Sequence, residues 1–260
     1  MRMPKRGFVH LVGSLVAALA LVTTGRAADQ GELTVMTSVA LTPALDELKP
    51  VFERQDHVKL AITYDLISNL RKRVLAGEGA DVIILSRPAM EDLQKEGKLA
   101  PGTLFEVAST SIAVAARTGT PKPDISTVDA FKKSMLVAKS IVYADPAKGG
   151  ASGVYFAKVA ERLGIADQLK SKTILVPGAQ AAEVVAKGEA ELGIAQASEI
   201  VPVSGAELVG LFPNELANTI TFVGGIGSET KSAHEAKALF DFLGTRDAKA
   251  ALKAKGFEPG

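Results

Sequence analysis

Strand-type and helix-type runs alternate along this chain, and that alternation restricts the fold more than any other feature. Glu32 to Ser38 reads as a strand. Ala40-Leu41-Thr42-Pro43 follows, with Thr42 as an N-cap and Pro43 suited to the first helical position. Ala44, Leu45, Leu48, Val51 and Phe52 then recur at helical spacing. Val58 to Tyr64 is a second strand, and Leu70, Val74 and Leu75 mark a helix after Ser68. Asp81 to Leu85 is a short apolar strand before a helix near Pro88 to Glu96. A βαβαβα order of this kind implies a mostly parallel sheet covered by helices.

A second set follows. Val107 to Arg117 is a long β-type run ending in the turn-rich Thr118-Gly119-Thr120-Pro121-Lys122-Pro123, expected to cross from one lobe to another. Ser140 to Tyr143, Thr173 to Val176 and Leu192 to Ala195 read as strands. Val154 to Leu163 and Ala181 to Lys187 read as the helices between them, and Glu207 to Phe212 as an edge strand. Thr219 to Val223 is a return strand, and Ala233 to Leu243 a helix with Ala236, Leu239, Phe240 and Leu243 on one face. Ala248 to Gly256 reads as a last short helix packing back on the first lobe.

The first 27 residues read as a signal peptide. Arg2, Lys5 and Arg6 precede the apolar run Phe8 to Val22, and Gly25-Arg26-Ala27 offers a cleavage site after Ala27. Its removal takes four basic residues and no acid, so the formal charge falls from +1 to −3. A basic nucleic-acid surface is therefore not supported. The chain has no cysteine, which excludes disulfides, thiolate metal sites and a lipid-modified N-terminal cysteine. A free periplasmic protein is expected. The remaining length, about 230 residues, is enough for two lobes.

Strands that feed helices place ligands at their carboxyl ends. The candidate loops are Thr37 to Ala40, Asp65 to Asn69, Ser86-Arg87, Ala147 to Gly153, Pro177 to Gln180 and Gln196 to Ser198. Gly149, Gly150 and Gly153 around Ser152 leave N–H groups accessible where a helix macrodipole favours an anion. Ser68 either caps its helix or turns toward a ligand. Arg71 lies in the first turn of that helix, where a cation is locally unfavourable unless an anion offsets it.

Enzyme motifs are missing. Ser152 runs directly into Gly153, so the loop is not a nucleophile elbow. No G-x-x-x-x-G-K-[ST] or H-E-x-x-H occurs, and after cleavage only His57 and His234 remain. These absences lead to the expectation of a non-enzyme that needs no cofactor or metal.

Several segments resemble the periplasmic molybdate-binding proteins of ABC importers. Leu33-Thr34-Val35 leading to Ala40 to Leu45 looks like the family's opening strand and helix. Ala76 to Val82 looks like its "AG-x-x-AD" turn, Ala144-Asp145-Pro146 through Gly153 like its "DP…G" loop, and Gly188-Glu189-Ala190 through Ile194 like its "GEAD-x-GI" strand. The resemblance implies a two-lobed periplasmic-binding-protein fold of type II-like form, each lobe a mostly parallel sheet flanked by helices. Lobe 1 is expected over residues 28–108 plus 222–260, and lobe 2 over 109–221. It also implies hinge closure over a small anion and docking on an ABC permease at the inner membrane, with monomer as the default state.

Ser38, Ser68, Asn69 and Arg71 are then the expected ligand residues of lobe 1, and Ser152, Gly153, Ala179 and Gln196 those of lobe 2. The pocket departs from the family pattern. Ala40 stands where molybdate binders carry a serine, Ser68 stands alone where they carry a pair, and Gln196 replaces a frequent tyrosine. With Arg71 nearby, a small organic carboxylate fits as well as an oxyanion. A periplasmic hydrolase acting on a small acid, or a sensor feeding a receptor, is the alternative.

Overall fold

The structure is a computed structural model and describes Met1 and residues 31–260. The expected signal peptide beyond Met1, with the first residues of lobe 1, lies outside the described residues. In chain order the elements are β1 (Glu32–Ser38), α1 (Thr42–Asp56), β2 (Lys59–Asp65), α2 (Ile67–Leu75), β3 (Val82–Ser86), α3 (Arg87–Lys95), β4 (Phe105–Arg117), α4 (Val128–Val137), β5 (Ile141–Ala144) and α5 (Ala151–Arg162). Then come α6 (Ala166–Leu169), β6 (Thr173–Val176), α7 (Ala181–Ala186), β7 (Leu192–Gln196), α8 (Ala197–Ile200), β8 (Ala206–Leu211), β9 (Thr219–Ile226), α9 (Ala233–Leu243), α10 (Arg246–Ala254) and β10 (Glu258–Pro259).

The strands run in the order β2-β1-β3-β9-β4-β7-β5-β6, with β8 and β10 also paired to β4. The triads β2-β1-β3 and β6-β5-β7 are parallel. The long connecting strands add antiparallel pairings, β9 with β3 and β4 with β7. One strand serves both lobes. Phe105 to Ser111 of β4 pairs with β9, and Ile112 to Ala116 pairs with β7. The crossing therefore lies within β4, where a continuous strand keeps its backbone hydrogen bonds satisfied. The loop Thr118 to Pro123, expected to cross, stays with the second lobe: Lys122 pairs with Glu207 at 2.6 Å and donates to the Leu208 carbonyl.

Each lobe has its own apolar core. Leu33, Val35, Phe52, Phe222, Phe240 and Phe257 share one core. Ile112, Phe131, Phe156 and Phe212 share another. The helical spacing in α1 buries Ala44, Leu45, Leu48 and Phe52, while Val51 is exposed. Helix α4 was not anticipated, although Thr127 caps it by accepting from Ala130 N, and Phe131 and Met135 are buried one turn apart. The C-terminal strand lies beside β4, with Pro259 and Glu258 paired to Ala108 and Ser109.

Candidate functional site

The carboxyl ends of β1 and β2 face those of β5, β6 and β7 across a cleft, because parallel strands in each lobe deliver their following loops to one edge. The cleft has a volume of about 880 Å³ and is lined from the first lobe by Thr42, Tyr64, Asp65, Ser68, Asn69 and Lys72. The second lobe contributes Lys148, Gly149, Ala179, Gln180, Glu183 and Glu199. Adjoining it is a smaller, partly open pocket between Ser38, Leu66 and Ile67 on one side and Ser152, Ala179, Gln196 and Glu199 on the other.

The expected ligand residues divide between these spaces. Ser38, Ser152, Ala179 and Gln196 line the smaller pocket, and Ser68, Asn69 and Ala179 line the wider cleft. The Ser38 hydroxyl accepts from Ala40 N at 3.3 Å, which caps the turn into α1 and holds this serine in place. Ser68 is the second residue of α2, which begins after Leu66, so Ser68 does not cap it. Asn69 donates to Asp65 Oδ1 at 2.9 Å.

Two of the expected residues line neither space. The Arg71 guanidinium pairs with Asp92 of α3 at 3.1 Å, because its place on α2 turns it toward the neighbouring helix. Gly153 packs α5 against β5: a Cβ there would collide with the Ala144 carbonyl oxygen. Its missing side chain is explained by that close approach.

The structure adds residues that the sequence reading passed over. Glu199, in the short helix α8, reaches both spaces. Its Oε2 accepts from Gln196 N at 3.0 Å and its Oε1 from Gln196 Nε2 at 3.1 Å. Burial pushes its carboxyl up to about 7, even though both hydrogen bonds from Gln196 pull the other way. A lone glutamate carries no catalytic motif. The available signal was a Gln-x-x-Glu helix start at the carboxyl end of a strand, and the candidate loop had been ended one residue earlier, at Ser198.

Lys72 and Lys148 also line the cleft, one from each lobe, and neither forms an ion pair among the described residues. Asp65, by contrast, is held in place by Leu66 N at 2.7 Å, by Asn69 and by Arg73 at 3.6 Å. The arrangement offers two cations and two helix N-termini (those of α2 and α5) to an anion, with one half-buried carboxyl able to carry a proton.

A family model described as bacterial extracellular solute-binding protein matches residues 33–258. The chain belongs to that family. A molybdate-binding protein, ModA of Escherichia coli (strain K12), is 26% identical over 246 residues, covering 93% of this chain and 95% of that protein. Among solved structures, the Azotobacter vinelandii periplasmic molybdate-binding protein superposes with a TM-score of 0.71 at 20% identity, covering 86% of this chain and 98% of that one. The solute-binding protein is thus of the molybdate-binding-like type, as the resemblance implied.

One expectation is overturned. An aconitate isomerase from Pseudomonas sp is 32% identical over 260 residues, covering 97% of this chain and 98% of that protein. The absence of nucleophile and metal motifs leads to the expectation of a non-enzyme, which this likeness contradicts. That reasoning fails for chemistry that needs only one carboxyl of suitable pKa, which leaves no pattern in a sequence.

Proposed function

We propose that this solute-binding protein is an exported isomerase of aconitate-type unsaturated tricarboxylates, with Glu199 as the acid–base group. The observation that carries the reading is the Glu199 carboxyl, raised to about 7 and placed where the cleft meets the smaller pocket. The full-length likeness to an aconitate isomerase supports the choice of reaction.

The chemistry follows from the substrate class. Turning about a carbon–carbon double bond is slow, but an allylic proton shift avoids it. The Glu199 carboxylate takes a proton from the methylene carbon, and the electron pair spreads over the three-carbon unit and the flanking carboxylate. The same proton returns to the far carbon. The double bond has then moved by one bond with its geometry reset, and no net proton is used. A group with a pKa near neutrality can both accept and return that proton at pH 7. Lys72, Lys148 and the N-termini of α2 and α5 would hold the carboxylates, and closure of lobe 1 (residues 28–108 plus 222–260) on lobe 2 (109–221) about β4 would exclude water.

A second reading, capture of a small anion for an ABC permease, is favoured by the two serines of the smaller pocket and by the molybdate-binding relative. A thermal-shift panel of cis- and trans-aconitate, citrate, molybdate, tungstate and sulfate separates the two. A ligand at about 100 times its dissociation constant adds about 2.7 kcal/mol to folding stability. A response to aconitate together with interconversion of its isomers supports the isomerase; a response to aconitate without interconversion, or to molybdate or tungstate alone, supports capture.

A further inference from the structure

Gln196 is held at the carboxyl end of β7, opposite Ile112 of the crossing strand, and is only 3% exposed. It meets both oxygens of Glu199, one through its main-chain N–H and the other through its side-chain amide. Its own Oε1 is buried and faces the Glu199 main-chain N–H across the start of α8, but makes no hydrogen bond of normal geometry. An unpartnered buried acceptor is costly, and a second use of the amide would explain why it is kept.

We propose that Gln196 is a positioning residue that serves both protonation states of Glu199. The inference rests on the isomerase reading for its purpose but not for its test. With Glu199 ionised, two N–H groups point at its oxygens and fix the plane of the carboxylate, leaving its remaining lone pairs toward the cleft. With Glu199 protonated, one of those oxygens carries a hydrogen. The same amide then offers Oε1 to the O–H donor by turning about its last bond. Each state therefore keeps a side-chain partner through the proton transfer, and the carboxyl does not swing away between removing the proton and returning it. The charged groups facing this region are Asp65 and Lys72 from the first lobe, and Lys148 and Glu183 from the second.

The test is a carboxyl carbon NMR titration of glutamate-labelled protein, with Glu199→Gln to identify the Glu199 signal. Gln196→Met removes the side-chain donor and keeps the main-chain one. Its Glu199 midpoint should rise by up to about one unit, because the charge-assisted bond lost by the ionised carboxylate is stronger than the neutral one lost by the acid. Gln196→Glu, close in shape, should raise it as well and by more, and it stands in if the methionine variant does not fold. Where aconitate is turned over, the acidic limb of the kcat/KM profile should rise by the same amount in either variant. An unmoved Glu199 midpoint in a folded Gln196 variant would overturn the proposal. Unchanged turnover in Glu199→Gln would instead remove Glu199 from the isomerase chemistry, absence of turnover in the unaltered protein would overturn the isomerase reading, and the titration would still decide the role of Gln196.

Discussion

Gly149 of the second lobe lies against Ser68 of the first: a Cβ placed on Gly149 would stand 2.7 Å from the Ser68 hydroxyl oxygen. Gly149 also has φ of 80°, in the left-handed region that other residues adopt only with strain. The two lobes meet across the cleft at a point where both the backbone and the available space require glycine. Gly149→Ala should therefore oppose closure and weaken aconitate binding by about tenfold, equivalent to about 1.4 kcal/mol. Adding Ser68→Ala should restore part of the loss, the part due to contact and not to backbone strain. Calorimetric titration of the two single variants and the double variant measures that coupling.

The two lysines and Arg71 should separate cleanly. Lys72→Ala and Lys148→Ala should each weaken aconitate binding by about tenfold, in line with the loss of one charge-assisted hydrogen bond. Arg71→Ala should leave affinity within about twofold, because its partner is Asp92. Equal loss in all three variants would mean that the Arg71 side chain leaves Asp92 when ligand binds.

Glu199 makes stability depend on pH. Its pKa in the folded protein, about 7, lies above the ordinary 4.5. Between these values the folded protein keeps a proton that the unfolded chain has released. Stability should fall as pH rises from about 4.5 to about 7 and level off above, by at most about 3 kcal/mol from this group. Urea unfolding across that range, compared with Glu199→Gln, isolates the effect. The variant should lack this decline.

Gly153→Ala should destabilise by about 1–3 kcal/mol or more, because the new methyl meets the Ala144 carbonyl and α5 must shift away from β5. The wild-type ligand affinity should survive in whatever fraction remains folded. A stable variant with lost binding would instead place Gly153 in the site.

The alternation of strands and helices was legible because burial imposes a period on side chains, and α1, β3 and α9 follow it closely. What lay beyond reach were relations across the chain. Nothing near Arg71 in sequence announces Asp92, twenty-one positions later and one helix over. The crossing was assigned to a turn-rich loop because turns are visible locally, whereas a strand shared by two sheets is defined only by its partners. Ser38, Ser68 and Ser152 line the pockets because loops at the carboxyl ends of the strands converge there, a rule that sequence alone can apply. Glu199 was missed because its distinction lies in burial and in the grip of Gln196, neither of which the sequence displays.

The central claim, that Glu199 moves a proton on an unsaturated tricarboxylate in this cleft, is tested most directly by incubating the purified protein with trans-aconitate and following the vinyl resonance by proton NMR. The account predicts approach to a fixed cis/trans ratio from either isomer, slowed by about 100-fold or more in Glu199→Gln. A protein that binds aconitate or molybdate and leaves both isomers unchanged would contradict it.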